Sequence, residues 1–349
     1  MTTITKSIQV VRNFNQNGGM ERYVWALAHA LAERNQEVVI VCQSYDDSCS
    51  KKIKVHKLSG LKSKSGWVNH LFFSNQLNKF LSQHLNYKEH IIHSHERISC
   101  HHVTTFHSPL IKDREKGILD ILSVRLMVWN YIENRELFGR NLQCILPNSF
   151  YTAKKIETFY PDAQKKICAP AFPGVDQKYY SIETNPEGLN IGFIGRDWKR
   201  KGLAFVVEIF SDVIKKINNV HLYVAGPEFV DIQHLFVNLP SDKFTIMNWT
   251  DPAEFFKKIN LLVHPAIKEP FGMVLAEANA SGKYILASKN TGFTKFLTKK
   301  VGKALELKKE NWLNEILKYN SNRQQVQRLN FSWNDLAKKH EEIYLKIKS

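Results

Sequence analysis

H-P-A-I-K-E-P-F-G-M-V-L-A-E-A-N-A-S-G, at residues 264–282, is the stretch around which the second half of the chain is organised. Its loop carries Glu269, and the helix predicted over residues 273–281 is apolar on nearly every side, which indicates packing in the interior. Glu277 lies in that helix and needs a partner, because burying a carboxylate without hydrogen bonds costs roughly several kcal/mol. An internal cation would serve. A ligand diol would serve equally, while the helix start after Gly272 offers free N–H groups to an anion.

Length and composition indicate a globular protein of two domains. The chain has 349 residues, of which 43% are hydrophobic and 11% aromatic, enough for two ordinary cores. Its net charge of +16 predicts acidic partners, but does not choose among phosphates, anionic lipid and nucleic acid. A run of six lysines between Lys51 and Lys64, without an acid, is interpreted as a solvated loop.

The cysteines and the hydropathy of the chain indicate in which cellular compartment the protein is found. Five cysteines without a C-x-x-C pair, and a first segment that leads directly into a strand, indicate neither disulfides nor secretion. No apolar run approaches the roughly 18 residues that a spanning helix needs, so any membrane contact would be peripheral. We therefore expect a cytoplasmic protein, at most in contact with the inner face of the cytoplasmic membrane.

The first forty residues predict a β-α-β unit. Strands are predicted over residues 7–12 and 37–42, with apolar residues at helical spacing between them (Val24, Leu27, Ala28 and Leu31). The turn N-Q-N-G-G-M lacks the G-x-G-x-x-G fingerprint, which argues against a dehydrogenase. Gly18 and Gly19 still allow backbone N–H groups to approach a phosphate at the helix start, although a plain tight turn would use the same residues.

A histidine-rich segment follows. Five histidines occur within fifteen residues (His93, His95, His101, His102 and His107). Their spacing matches neither H-E-x-x-H nor a cysteine-containing zinc site. We therefore predict no metal here.

Residues 111–140 predict a basic amphipathic helix. Its apolar positions lie at helical spacing (Leu119, Leu122, Leu126, Trp129 and Ile132). Such a helix can lie on a membrane surface, but this one also contains Glu133 and Glu136. We therefore favour a helix that packs on the core and leaves one face solvated.

The second half repeats the alternation of strands and helices. A strand over residues 190–194 leads into G-R-D-W-K-R-K-G at residues 195–202, and a helix follows from Leu203. The guanidinium and ammonium groups of this loop, next to a helix start, suit a diphosphate, although a solvated turn is the alternative. Further parallel strands are predicted in L-Y-V-A-G-P-E, F-T-I-M-N-W, L-L-V-H-P and residues 284–288. Ligands of such sheets bind beyond the carboxyl ends of the strands.

K-E-P-F-G-M-V-L-A-E-A, with its two glutamates separated by seven residues, resembles the signature of the retaining nucleotide-sugar glycosyltransferases of the GT-B fold, in the large family-four group. G-G-M-E-R at residues 18–22, I-C-A-P-A-F-P-G-V-D ending at Asp176, and G-R-x-x-x-x-K-G at residues 195–202 resemble further motifs of that family in the expected order. The resemblance extends over essentially the whole chain.

This resemblance implies an α/β fold of two Rossmann-like domains that face each other across a cleft. Residues 1–171 would form the acceptor-side domain and residues 172–330 the nucleotide-sugar domain. Residues 331–349 would form a C-terminal helix that crosses back to the first domain.

The resemblance also implies roles for residues of the second domain. Glu277 would hold the ribose diol, and Glu269 would contact the transferred sugar together with the backbone of Phe271 and Gly272. The diphosphate would be bound and neutralised by two cations, Arg196 and Lys201.

Two residues of the first domain, Gly19 and His107, would close the pocket, and His107 would line it near the transferred sugar. The chain departs from the family after the strand at residues 284–288. Many relatives have G-G-x-x-E there, whereas this chain has T-G-F-T-K, with Thr291 for the first glycine and Lys295 for the glutamate. Because that loop shapes the donor pocket, the resemblance does not carry over the identity of the donor.

The resemblance implies transfer of a hexose from a nucleoside-diphosphate sugar, UDP- or GDP-linked, with retention of configuration and without a cofactor. The sequence contains no D-x-D, so no metal is implied. The acceptor would be a bacterial glycolipid or oligosaccharide, with lipopolysaccharide core as the first expectation. An O-antigen, capsule or other glycolipid acceptor is the alternative.

An alternative hypothesis, from a different functional class, is that the protein has a GT-B scaffold but is not catalytic, and that it binds anionic surfaces or nucleic acid. The joint presence of Arg196, Lys201, Glu269 and Glu277 argues against a dead site. We therefore expect contact with anionic membrane rather than with nucleic acid.

Overall fold

The computed structural model describes residues 4–61, 63–84, 87–114, 123–183 and 186–348. The chain forms two compact units, one made of Met1–Gly174 with Ser332–Ser349 and the other of Val175–Phe331. Lys62 of the lysine run, and Leu119 and Leu122 of the predicted basic helix, lie outside the described residues. Within those ranges, no helix combines the length and the apolar character needed to span a bilayer.

The N-terminal unit is built on a parallel sheet. Its strands in chain order are β1 (Lys6–Val10), β2 (Asn13–Phe14), β3 (Glu37–Cys42), β4 (Ser44–Tyr45), β5 (Lys54–Lys57), β6 (Ile91–Ser94), β7 (Val103–Phe106) and β8 (Cys144–Pro147). Six of these described strands form the sheet in the order β5-β3-β1-β6-β7-β8, while β2 pairs with β4. The run V-V-I-V at residues 38–41 is buried throughout, as expected for a strand covered by helices on both faces.

The helices of this unit are α1 (Gly19–Glu33), α2 (Gly66–Gln83), α3 (Val124–Leu137), α4 (Phe150–Phe159) and the last helix of the chain, α12 (Trp333–Lys348), with a 3-10 segment at Pro161–Lys166. α12 packs on α1, and the two helices share one apolar core. Tyr344 of α12 accepts a hydrogen bond from Nε2 of Gln9 at 2.9 Å, and Arg34 pairs with Glu341 at 2.6 Å. The last helix therefore completes the N-terminal unit.

The described part of the predicted basic helix, α3, packs on the core and leaves one face solvated, and both of its glutamates lie on the buried side. Leu126 and Ile132 of α3 are buried as predicted, but Glu133 and Glu136 are buried too. Arg97 explains this, because its guanidinium lies 3.2 Å from Glu133 and 3.5 Å from Glu136. Burial nevertheless raises the pKa of Glu136 to about 8, against the opposing charge of Arg97. The solvated face of α3 carries three large apolar residues (Val124, Met127 and Tyr131).

The second unit is built on another parallel sheet. Its strands are β9 (Leu189–Ile194), β10 (Val220–Ala225), β11 (Phe244–Ile246), β12 (Leu261–His264), β13 (Tyr284–Ser288) and β14 (Gly302–Leu305), in the spatial order β11-β10-β9-β12-β13-β14. Every strand predicted in this half is confirmed. The strand predicted at residues 7–12 of the other unit lies slightly earlier, as β1.

The helices of the second unit are α5 (Gln177–Tyr180), α6 (Trp198–Lys201), α7 (Leu203–Val213), α8 (Phe229–Ile232), α9 (Pro252–Lys258), α10 (Met273–Ala280) and α11 (Lys309–Ser321), with 3-10 segments at Gln233–Leu235, Ser241–Lys243 and Gly292–Phe296. The predicted interior helix is confirmed as α10, whose residues from Leu275 to Ala280 are all buried. Crossovers between parallel strands place the loops after β9 and β12 at the carboxyl edge of the sheet.

The prediction that the chain has no disulfide is wrong for one pair of cysteines. Cys144 and Cys168 are disulfide-bonded, with Cα atoms 6.0 Å apart. The N–H of Cys168 donates to the carbonyl of Ile145 at 2.8 Å, so the segment after the helical region lies directly beside β8. A separation of 24 residues matches no sequence motif, and only the tertiary fold brings the two thiols together.

Candidate active site

Two glycines determine the shape of the basic loop at residues 195–202. A Cβ on Gly195 would lie 2.3 Å from Cδ of Lys201, so the lysine side chain folds across the Gly195 backbone. Gly202 has φ +84°, and a Cβ there would lie 2.4 Å from the carbonyl oxygen of Pro265. The basic loop therefore packs directly against the stretch at residues 264–272, because glycine leaves room for both approaches.

Glu269 lies in a cluster of basic groups. Its Oε2 atom is 3.3 Å from Nη1 of Arg200 and 3.6 Å from Nε2 of His264. Arg200 also donates to the carbonyl of Lys268 at 2.6 Å, and its Nε lies 2.6 Å from Asp197. His264 is fully buried, and neither of its ring nitrogens has a hydrogen-bond partner within the residues that the structure describes.

The charge states of this cluster follow from burial and proximity. Burial alone would raise the pKa of Glu269, but the His264 ring together with the charges of Lys201 and Arg200 lowers it to about 2. Burial lowers the pKa of Lys201 and of His264, although Glu269 partly offsets both effects. At neutral pH the site therefore contains an ionised Glu269 and a neutral His264.

The backbone of Glu269 is held by the loop after β13, in which the chain departs from the motif of the family that it resembles. Its N–H donates to the carbonyl of Asn290 at 3.0 Å, and its carbonyl accepts from Gly292 at 2.9 Å. Ser288 reinforces the contact with a 2.5 Å hydrogen bond to the carbonyl of Ala266. The sequence T-G-F-T-K thus positions the glutamate loop through backbone hydrogen bonds that do not need the usual glycine at position 291.

The helix start lies directly beyond this loop. Phe271 is buried, and Gly272 at φ +90° precedes α10, where its carbonyl accepts from Leu275. Glu277 is 3% exposed in that helix. α10 therefore begins beside Glu269 and buries the second glutamate one turn further along.

Arg196 differs from Arg200, although both lie in the basic loop. Arg196 is exposed, and within the described part of the chain its guanidinium has neither a hydrogen bond nor an ion pair. The structure thus brings Lys201 close to Glu269. Gly272 and Glu277 follow on the glutamate loop and in α10, and Arg196 lies on the basic loop.

The two candidate residues of the N-terminal unit lie near the carboxyl edge of its sheet. Gly19 begins α1, after Gly18. His107 follows β7, and its Nε2 lies 3.0 Å from Nδ1 of His95, while its ring packs edge-on against Tyr23. Burial lowers the pKa of His107 to about 3, so its ring is neutral.

The remaining histidines of this segment are part of the hydrogen-bonded interior. His93 bonds to Tyr344 at 2.7 Å and to Thr105 at 2.8 Å, and His95 bonds to Gln9 at 3.0 Å. No group of three or more potential metal ligands occurs among the described residues. These contacts assign His93 and His95 to the hydrogen-bonded core of the N-terminal unit.

Sequence reasoning missed the roles of Arg200 and His264 in this cluster. Both residues are contained in the motifs that were singled out, G-R-D-W-K-R-K-G and H-P. The sequence does not show that both side chains point toward Glu269, because this orientation depends on how the loops after β9 and β12 pack together.

Comparisons with known proteins bear on the whole chain. The family model described as Glycosyl transferases group 1 matches residues 180–330, and the model described as Glycosyltransferase Family 4 matches residues 17–169. The sequence is similar to the capsular polysaccharide biosynthesis glycosyltransferase CapM of Staphylococcus aureus, with 28% identity over 123 residues. That match spans 34% of this chain and 32% of CapM.

The fold is similar to that of WaaG, a glycosyltransferase involved in lipopolysaccharide biosynthesis, with a TM-score of 0.77 at 19% identity over 96% of this chain and 95% of WaaG. It is also similar to HepE of Anabaena, solved in complex with UDP-glucose, with a TM-score of 0.65 at 13% identity over 98% of this chain and 97% of HepE. These likenesses confirm the predicted α/β architecture, and the two doubly wound units define the GT-B fold. The chain belongs to the glycosyltransferases, with a family 4 domain followed by a group 1 domain.

Proposed function

We propose that this glycosyltransferase moves a hexose from a nucleoside-diphosphate sugar to a bacterial glycolipid or polysaccharide acceptor, with retention of configuration. The observation that carries the proposal is the cluster in which Lys201 folds over Gly195 beside an ionised Glu269, at the carboxyl edge of a parallel sheet. A cation for a diphosphate and an anion for a sugar thus lie next to each other. HepE, which shares the fold, binds UDP-glucose, and this favours a UDP-hexose as donor, with a GDP-hexose as the alternative.

Each candidate residue has a role in this proposal. Lys201 and Arg196 neutralise the diphosphate leaving group, and Glu277 accepts hydrogen bonds from the ribose diol. Glu269 contacts the hexose, where its negative charge stabilises the positive charge that develops at the anomeric carbon. Arg200 positions Glu269 without contacting the substrate.

The remaining candidates contribute shape and backbone hydrogen bonds. Phe271 and Gly272 contact the sugar through their backbone, and the neutral His107 and the Gly19 backbone contact substrate from the N-terminal unit. None of these roles requires a protein nucleophile. In the reaction that we propose, the acceptor hydroxyl attacks on the face from which the diphosphate departs, and a diphosphate oxygen takes its proton.

The proposed reaction is independent of a metal ion. The sequence lacks the D-x-D that would hold a divalent cation on the diphosphate. The charges of Arg196 and Lys201 offset the developing negative charge instead.

Contact with an anionic membrane fits the surface of α3. Val124, Met127 and Tyr131 lie at helical spacing along one face and are 68%, 64% and 58% exposed. Arg125 and Arg140 are exposed on and just after the same helix. An apolar stripe flanked by cations suits the interface of anionic lipids, where a glycolipid acceptor such as lipopolysaccharide core is found.

A second candidate is a transferase that builds capsule, O-antigen or another glycolipid, and the similarity to CapM favours it. A screen of UDP- and GDP-hexoses with purified protein, read as release of the nucleoside diphosphate, tests the proposal. Release of the nucleoside diphosphate should increase when the correct acceptor is added. An increase with a lipopolysaccharide-core acceptor would support the first candidate, and an increase with a lipid-linked acceptor would support the second. No release with any donor would favour a non-catalytic protein that binds anionic surfaces.

A further inference from the structure

A cavity lies at the amino edge of the sheet in the C-terminal unit. Its volume is about 440 Å³, within the range of roughly 300–1,000 Å³ that is common for small-molecule sites. Asn260 and Lys283, which immediately precede β12 and β13, line it. The candidate active site lies beyond the opposite, carboxyl ends of these strands. A strand of five residues such as β13 separates the two ends by roughly 16 Å, at about 3.3 Å per residue. The two sites are therefore separate.

Three cations line this cavity: Lys283, Arg323 and Arg328. Lys283 is 2% exposed, and burial together with the charge of Arg328 lowers its pKa to about 8. Glu183 is the acid that faces them among the described lining residues. The positive charge in the cavity thus exceeds the negative charge, even with the negative end of the α10 dipole nearby.

The cavity is also rigidly built. Arg328 donates to the carbonyls of Tyr180 at 2.5 Å and Ile182 at 2.6 Å, which fixes its guanidinium beside the backbone of Gly282. Asn279 holds the same segment through hydrogen bonds to Gln327 and Leu329, each 2.8 Å long. These contacts place the Arg328 guanidinium before any ligand arrives, which lowers the entropic cost of binding.

One buried polar group in the lining, the Ser281 hydroxyl, lacks a partner among the described residues. The hydroxyl oxygen of Ser281 is buried, and it forms no hydrogen bond with any part of the chain that the structure describes. A buried hydroxyl without a partner is destabilising, so a ligand that supplies an acceptor would satisfy it. An oxyanion can accept from this hydroxyl and from the surrounding cations at the same time.

We propose that this cavity binds a small molecule carrying a phosphate monoester, at a site distinct from that of the nucleotide sugar. A phosphate monoester has three terminal oxygens and close to two negative charges at neutral pH, which matches three cations and one hydroxyl donor. This inference does not depend on the glycosyl-transfer reaction, and its test measures binding alone.

Binding is measured by calorimetry and thermal melts at constant ionic strength, with inorganic phosphate and glycerol phosphate as soluble probes. The variants are Lys283→Met, which keeps the length of a buried side chain, and Arg323→Ala, which should leave folding intact because Arg323 is exposed. Lys216→Met, at an exposed lysine of the same unit outside the cavity, is the matched control. Lys201→Ala identifies any phosphate that binds at the diphosphate site instead.

We expect saturable binding that weakens about tenfold to a hundredfold in Lys283→Met and Arg323→Ala, because each loses one charge-assisted contact. Lys216→Met and Lys201→Ala should bind as the wild type does. Phosphatidylcholine vesicles containing phosphatidate form the second arm. Binding to these vesicles that requires Lys283, without binding of the soluble probes, would identify a lipid headgroup as the source of the phosphate.

Two results would overturn the proposal. One is that no probe binds in a manner that depends on Lys283 or Arg323. The other is that Lys201→Ala alone abolishes phosphate binding, which would place the anion at the diphosphate site.

Discussion

Nη1 of Arg200 lies 3.3 Å from Oε2 of Glu269, and the same guanidinium nitrogen donates to the carbonyl of Lys268 at 2.6 Å. One side chain of the basic loop therefore fixes both the backbone and the carboxylate of the loop before α10. Arg196 has no such internal partner among the described residues, so its charge is available to a ligand. The two arginines of this motif therefore differ in their contacts. Arg200 orders the loop that carries Glu269, whereas Arg196 faces the solvent.

Glu269→Gln should remove a pH-dependent part of the stability. The pKa of Glu269 falls from 4.5 to about 2 in the folded protein. Its stabilising contribution is therefore complete above about pH 4.5 and is lost as the pH falls toward 2, with an upper limit of about 3 kcal/mol. Urea unfolding at about pH 3 and about pH 6 should show a smaller pH dependence in the variant than in the wild type. Exposed Glu254, changed to Gln, serves as the control, and equal pH dependence in all three proteins would contradict the ion cluster.

Lys201→Ala should weaken binding of the nucleoside diphosphate without unfolding the protein. Loss of one charge-assisted contact costs roughly 1.5–3 kcal/mol, or about one to two decades in affinity. Calorimetric titration with the diphosphate measures this directly. Lys199 is the matched control, because it is an exposed lysine of the same short helix, stacked on Trp198. Unchanged affinity in Lys201→Ala, or an equal loss in Lys199→Ala, would remove Lys201 from the site.

Glu277→Ala should lose nucleotide affinity, whereas Glu269→Ala should lose turnover. If Glu277 binds the ribose, its loss should weaken binding of the free diphosphate and of the donor alike. If Glu269 contacts only the sugar, its loss should lower turnover and leave diphosphate affinity nearly unchanged. Paired diphosphate titrations and melts on both variants provide the measurement.

The internal ion-pair alternative predicts another outcome for the same two variants. Removing one member of a buried pair leaves the other charge without compensation, so both variants would lose stability and affinity together. Equal losses linked to the melting temperature would rule out the assigned roles.

Transfer activity should survive EDTA. Arg196 and Lys201 would supply the positive charge that a metal ion provides in enzymes with D-x-D. The measurement is the rate of diphosphate release before and after chelation. Activity that is lost with EDTA and returns with Mg²⁺ or Mn²⁺ would show that the proposed metal-free reaction is incorrect.

Met127→Ser should weaken association with anionic vesicles. Met127 is 64% exposed on the apolar stripe of α3, and burying such a side chain in lipid stabilises binding by roughly 1–2 kcal/mol, about five- to thirtyfold. Sedimentation with phosphatidylglycerol vesicles measures the bound fraction. Val237→Ser is the control, because Val237 is 78% exposed in the other unit. Equal sedimentation of both variants and the wild type would exclude α3 as the contact.

The sequence by itself determined the elements that depend on local periodicity. The interior helix α10 and the strands β3 and β13 were predictable, because short apolar runs and helical spacing are properties of neighbouring residues. The basic loop and the glutamate loop were also evident from their motifs. Their common location followed from the rule that parallel strands present their carboxyl ends at one edge.

Only the tertiary structure decided which residues of those motifs meet. The sequence did not show on which side of α3 Glu133 and Glu136 lie, and Arg97 from the loop after β6 makes their burial tolerable. The disulfide between Cys144 and Cys168 likewise depends on a backbone pairing that no local spacing encodes. Arg200 reaches Glu269 across 69 residues of sequence. Charge pairing acts through space, and the distances that govern it are set by the packing of strands far apart in the chain.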